Sequence, residues 1–314
     1  MVNQLLKHAE ILSVIDTLSS QYLQGKIRAL RLSMIALLAD GHLLLEDIPG
    51  LGKTTLALAL SRTLGLSFGR IQCTSDLLPS DITGLSIFDR DQNTFRFIKG
   101  PIFNHILLVD EINRAMPKTQ SALLEAMEER KVTIEGSSYS LPQPFMVIAT
   151  QNPMEQIGTY PLPESQLDRF LVTTDIGYPP PKLEKEIIRD GGIRNKILDI
   201  EALLTLDDIE QAKQSVRDIQ LDDKLVEYIL AIAQASRNHS FVAAGISTRG
   251  AISMAAAARA AAYLDGRSYV IPEDVKLIAA PVAAHRLILR PEHQSLNNNE
   301  VLLSILDNVA VPMV

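Results

Sequence analysis

Lys53 and Thr54 stand at the end of Asp47-Ile48-Pro49-Gly50-Leu51-Gly52 and are followed by Thr55. An ammonium, a hydroxyl and two glycines in so short a stretch suit a triphosphate. The glycines let backbone amides wrap closely, the lysine reaches the terminal phosphates, and the threonine hydroxyl can hold magnesium. Leu43-Leu44-Leu45-Glu46 reads as the end of a strand, and Leu56, Leu60 and Leu64 recur at helical spacing. Strand, loop and helix in that order point unpaired N–H groups of the helix start at the loop, where an anion is stabilised. Asp47 occupies the place of the usual first glycine, and an ordinary glycine-rich turn is the plain alternative.

Downstream, His105-Ile106-Leu107-Leu108-Val109 is an apolar run too short for a typical helix, and it ends in Asp110-Glu111. Such a run suits a strand buried between helical layers, with its acids at the C-terminal edge of a parallel sheet, beside the phosphate loop. There Asp110 can hold magnesium and Glu111 can orient and deprotonate a water. Phe145-Met146-Val147-Ile148-Ala149-Thr150 repeats the pattern and ends in Gln151-Asn152-Pro153, so the Asn152 amide can meet a terminal phosphate or the water. Arg169, in Leu167-Asp168-Arg169-Phe170, either pairs locally with Asp168 or is presented to a neighbouring subunit's nucleotide. Arg249 falls in the first turn of a helix capped by Ser247 or Thr248, a poor place for a cation unless it meets an anion.

The elements that must position these groups follow from periodicity. Residues 4–18 and 27–38 read as helices joined by the turn Leu23-Gln24-Gly25-Lys26, which falls near the phosphate loop and offers an adenine-side contact at Gly25. Residues 67–73 read as a strand, 84–98 as a hairpin around a polar turn, 118–130 as a helix and 131–141 as a second hairpin. The 84–98 hairpin is either a solvated surface feature or a contact element. Gly177-Tyr178-Pro179-Pro180-Pro181 reads as a linker, because three prolines continue neither helix nor inner strand. Beyond it the pattern is helical: 182–190, stopped by Gly191-Gly192, then 206–216, 221–235, 247–264 and a segment from Pro272, with His285 a packed or capping histidine. The expected fold is α/β, a P-loop core with a parallel sheet between helices over residues 1–177, and an all-helical domain over 178–314.

At 314 residues, 46% apolar and 21% charged, the chain has ample core and a globular composition. A net charge of −7, no Lys/Arg block and few aromatics give nucleic acid no evident footprint. There is no run of eighteen apolar residues, the amino terminus is unlike a signal peptide, and Cys73 is the only cysteine, so a cytoplasmic location is expected. No His/Cys/Asp cluster has metal-site spacing.

Several stretches together resemble the MoxR family of AAA+ ATPases: residues 76–84, Gly100-Pro101-Ile102-Phe103, Asp110-Glu111-Ile112-Asn113-Arg114-Ala115, residues 118–129, Gln151-Asn152-Pro153, residues 158–164 and 166–170. The resemblance runs nearly end to end. It implies a Walker A pair at Lys53 and Thr54, a Walker B pair at Asp110 and Glu111, sensor 1 at Asn152, an arginine finger at Arg169 and sensor 2 at Arg249. Arg114 is the alternate for communication between subunits. The 84–98 hairpin is similar to the helix-2 insert of this clade, and 131–141 to the hairpin before sensor 1. A hexameric ring on ATP and magnesium is implied, with chaperone-like remodelling or maturation of a client, often one with a von Willebrand factor A domain and sometimes for metal insertion. Lys26 stands where many relatives have glutamine, and Gly245-Ile246-Ser247-Thr248-Arg249-Gly250 replaces the more usual ending around sensor 2. A nucleotide-switched scaffold, in which binding rather than turnover controls partners, is the alternative function. A guanine switch lacks its Asn-Lys-any-Asp signature, and a small-molecule kinase gives no reason for the long helical region or for Arg169.

Overall fold

The computed structural model describes residues 2–154, 157–190 and 197–312. Two helices, α1 (Val2–Thr17) and α2 (Ile27–Leu38), precede the sheet. Five parallel strands follow: β1 (Leu43–Glu46), β2 (Phe68–Gln72), β5 (Ile106–Asp110), β8 (Met146–Gln151) and β9 (Val172–Thr174), in the spatial order β2-β5-β8-β1-β9. The apolar runs are central for a physical reason. Every residue of β5 is buried, which a strand covered on both faces requires.

Helix α3 (Lys53–Thr63) rises from the loop after β1, α4 (Pro79–Thr83) leads into the β3–β4 hairpin (Gly84–Asp89 and Thr94–Lys99), and α5 (Pro117–Glu129) precedes the β6–β7 hairpin (Lys131–Ile134 and Ser137–Ser140). The two hairpins touch where Phe97 stacks on Tyr139, with ring centroids 4.2 Å apart. A short helix, α6 (Glu164–Leu167), carries the chain to β9.

After the linker come α7 (Pro181–Asp190), α8 (Leu206–Arg217), α9 (Asp223–Asn238), α10 (Thr248–Leu264), α11 (Pro272–Ala283) and α12 (Asn298–Asp307). The helical expectation for this half holds, with one addition. Val242–Ala244 (β10) and Ile288–Leu289 (β11) form a small antiparallel ribbon, too short to show in any periodicity. The stop expected at Gly191-Gly192 lies outside the described residues.

Two apolar clusters hold the molecule. One, including Val109, Phe145, Val147 and Phe170, packs between the sheet and α5. The other runs from α1, α2 and α3 through β1 into α8, α9, α10, α11 and α12, so the amino-terminal helices and the carboxy-terminal ones share one core. Ala257, Ala258, Ala260, Ala261 and Ala262 are fully buried, and their small side chains let α10 approach its neighbours closely. Ion pairs span the same junction: Asp40 with Lys213 and Arg217, both at 2.7 Å, and Asp168 with Arg286 at 2.6 Å. No helix among the described residues is long and apolar enough to cross a membrane.

Candidate active site

The loop expected to hold phosphate closes over a cavity of about 430 Å³, lined among others by Gly50, Gly52, Lys53, Thr54, Asp110, Glu111 and Asn152. Parallel pairing of β1 with β8 and of β5 with β8 puts the ends of three strands at one edge, so groups nearly a hundred residues apart in sequence meet. Gly50 and Gly52 have φ of +88° and +96°, left-handed values that glycine adopts without a Cβ penalty; they turn the chain into the start of α3. Thr55 lines the same cavity, and Ile48, Pro49 and Leu51 line its neighbour.

Lys53 Nζ donates to the Asp47 carbonyl, and burial lowers its pKa against the pull of Asp47, Asp110 and Glu111. The negative potential of the strand edge also acts on Cys73, whose thiol is pushed up to about 12 by burial and then by Asp110 and Glu111. A partly desolvated ammonium, a hydroxyl and two acids around one cavity fit a polyphosphate with a divalent cation and have no comparable use as core packing.

The acids are held by groups the sequence did not single out. Arg70 Nε, from β2, lies 2.8 Å from Asp110 Oδ2, and Thr150 Oγ1 accepts from the Glu111 amide at 2.9 Å. Glu111 has φ of +57°, and its Oε2 lies 2.9 Å from Arg114 Nε. Within the subunit Arg114 thus faces its own chain's Glu111. Asn152 Oδ1 accepts from the Met154 amide at 3.1 Å, which holds the side chain at the strand end.

A second cavity, about 470 Å³, lies on the other side of the loop, between Leu23, Gln24, Lys26, Tyr178, Pro179, Ile187 and Ile188. Here the turn at 23–26 approaches the loop as expected, but Gly25 does not line the space. A Cβ at Gly25 would lie 2.6 Å from Pro180 Cδ, so the missing side chain is what lets the linker pack.

Arg169 and Arg249 are elsewhere, around a third cavity of about 260 Å³. The local pairing of Arg169 with Asp168 does not occur: Asp168 is taken by Arg286, and Arg169 Nη1 lies 2.9 Å from Glu128 Oε2 and donates to the Leu124 carbonyl at 2.6 Å. Arg249 Nη1 lies 3.1 Å from Glu128 Oε1. Within the subunit the anion beside this first-turn cation of α10 is a carboxylate of α5. Ser247 caps that helix, accepting from the Gly250 amide at 3.0 Å. His285 is half-buried with Nε2 3.1 Å from the Phe170 carbonyl, and desolvation followed by Arg286 lowers its pKa to about 3, as befits a packed histidine.

Comparison with known proteins agrees with this geometry. Residues 42–172 match the ATPase family associated with various cellular activities (AAA), and residues 234–305 match the AAA lid domain. The chain is 39% identical to Chaperone MoxR1 of Mycobacterium tuberculosis, over 92% of this chain and 79% of that protein, and 31% identical to Protein MoxR of Paracoccus denitrificans, over 86% of each. It is 45% identical to YeaC of Bacillus subtilis, described as uncharacterized, over 92% and 91%. The crystal structure of a candidate ATPase from Cytophaga hutchinsonii superposes with a TM-score of 0.91 at 36% identity, covering 99% of this chain and 97% of that one. A P-loop core followed by a helical lid defines an AAA+ ATPase. The chain belongs to the MoxR family of these enzymes.

Proposed function

We propose that the protein hydrolyses ATP in an assembly of its own copies and uses the cycle to remodel or mature a client protein, a chaperone role like that in the name of its mycobacterial relative. The observation that carries this reading is the separation of the site into two parts. Lys53, Thr54, Asp110, Glu111 and Asn152 surround one cavity, while Arg169 and Arg249 surround another with Glu128 between them. A passive nucleotide binder has no use for the second part; a ring in which one subunit's arginines complete the next subunit's site does.

In that reading Lys53 and the amides of residues 50–54 hold the phosphates, and Thr54 and Asp110 hold magnesium. A metal–nucleotide complex there would supply a polarised phosphoryl group. Glu111 takes the proton of the attacking water, and Asn152 orients it. Arg169, with Arg249, neutralises charge on the neighbour's nucleotide. We place the division between core and lid at residues 177 and 178, and the client surface on the 84–98 hairpin, where Leu85, Ile87, Phe88, Phe95 and Ile98 are exposed. A client with a von Willebrand factor A domain and a hexameric ring are the finer expectations.

Mixing an Arg169→Ala chain with a Lys53→Ala chain tests the division of labour. Each alone is expected to be inactive, and mixed assemblies should recover part of the turnover because some interfaces pair an intact loop with an intact arginine. Mixed assemblies that form and stay silent contradict it.

A further inference from the structure

The aspartate in place of the first loop glycine does not face the phosphate cavity. Its carboxylate turns the other way, to the start of the linker: Asp47 Oδ2 accepts from the amides of Ile176 and Gly177 at 2.9 and 2.8 Å, while Oδ1 accepts from the Ile48 amide at 3.0 Å. From the opposite side Lys26, buried although charged, donates its Nζ to the Gly177 carbonyl. Pro180 packs on Gly25, and four residues beyond Gly177 the chain enters α7, which supplies Glu184, Ile187 and Ile188 to the wall of the second cavity. Gly177 itself has φ of +68°, a conformation in which the backbone turns freely only without a Cβ. The same Asp47 residue offers its carbonyl to Lys53.

One residue therefore touches both the ammonium assigned to the phosphates and the two amides from which the lid departs. A lysine drawn onto an anion must loosen its hold on the Asp47 carbonyl, and the peptide that carries that carbonyl carries the carboxylate too. We infer that Asp47, clasped with Lys26 around Gly177, is a positioning residue that couples filling of the phosphate loop to the setting of the linker and of α7. The inference rests on nucleotide binding at that loop. Charge-assisted bonds from a carboxylate to two successive amides are directional, so a small rotation of residue 47 is felt at the linker.

Amide exchange at Ile176 and Gly177, with calorimetry on the same samples, tests this. Without nucleotide, Asp47→Ala should speed exchange at those two amides about tenfold, whereas Asp47→Asn, whose side-chain oxygen still accepts, should stay near the parent rate. On addition of magnesium and ATP the parent and Asp47→Asn should change exchange along α7. Asp47→Ala, saturated with ATP by calorimetry, should show no such change. Lys26→Met, which keeps the stem and removes the donor, should behave as Asp47→Ala and covers the case in which that variant folds poorly. Parent-like rates at Ile176 and Gly177 in both Asp47→Ala and Lys26→Met, or an α7 response that survives in them, overturn the inference. A parent chain that binds no ATP refutes the nucleotide reading, and with it the coupling; the exchange rates without nucleotide then show separately whether the clasp itself exists.

Discussion

Arg169 from the core and Arg249 from the lid end on the two oxygens of one carboxylate, Glu128, at 2.9 and 3.1 Å. The shared partner keeps both cations on one face of the subunit and occupies them within it. If that face meets the nucleotide of a neighbouring copy, Glu128 competes with phosphate for both arginines. Glu128→Gln should then lower the protein concentration at which ATP-dependent assembly is half complete by several-fold. Its cost to stability should stay within about 2 kcal/mol, because each pair is partly exposed and such pairs are worth about 0.2–1 kcal/mol. Light scattering across a dilution series reads the first effect and urea denaturation the second. An unchanged or raised midpoint of assembly would show that Glu128 does not compete.

Acid should weaken the fold through two histidines, His42, which is buried, and His285, which is half-buried. His42 accepts the Val147 amide at Nδ1, 3.0 Å away, and its Nε2 faces the Met127 carbonyl at 3.2 Å, so the neutral ring is bonded at both nitrogens. Burial first, and Arg130 second, lower its pKa to about 3, as desolvation does for His285. Between pH 6.5 and about 3 the unfolded chain binds protons at these rings and the folded chain does not, so stability rises with pH across that window and falls as pH drops through it. Each ring contributes a slope of up to about 1.4 kcal/mol per pH unit. Denaturation between pH 4.5 and 7 should show the slope, and His42→Gln should flatten part of it even if it lowers stability at neutral pH. A slope that is the same in the variant would remove His42 from the acid response.

Much of the fold was legible because the apolar runs that form buried strands end in the groups of the site. The phosphate loop, Asp110, Glu111 and Asn152 all stand just past such a run, and parallel pairing brings them to one edge. What escaped was any residue whose meaning lies in a distant partner. Arg70 reads as an ordinary charge in a strand until β2 pairs with β5 and puts it on Asp110. Glu128 is one acid among several at the end of α5, and Arg286 gives no sign in sequence that it will be buried on Asp168. Lys26 looked like a departure at an adenine contact, and Asp47 like a departure in the loop. Only the fold shows that the two meet at Gly177. The β10–β11 ribbon was missed because strands of two or three residues carry no period.

The β3–β4 hairpin makes its own prediction. Phe88 and Phe95 pair edge to face with centroids 5.3 Å apart, yet are 46% and 66% exposed, so the pair contributes little to the core. Phe95→Ser should change stability by no more than about 0.5 kcal/mol. If the hairpin grips the client, the same change should weaken client binding by about 2 kcal/mol, roughly thirtyfold, as loss of an aromatic anchor does. Comparing the proteins retained by Glu111→Gln with those retained by Glu111→Gln carrying Phe95→Ser reads this directly. Equal retention would place the client surface elsewhere.

In the proposed reaction Glu111 drives turnover at a site where Lys53 and Asp110 hold the nucleotide. Calorimetry and phosphate release on Glu111→Gln measure it together. ATP binding with magnesium should persist, and phosphate release should fall by about 100-fold or more, the scale expected when a general base is removed. Hydrolysis at the parent rate in that variant would contradict the account, since no water could then depend on the carboxylate that ends β5.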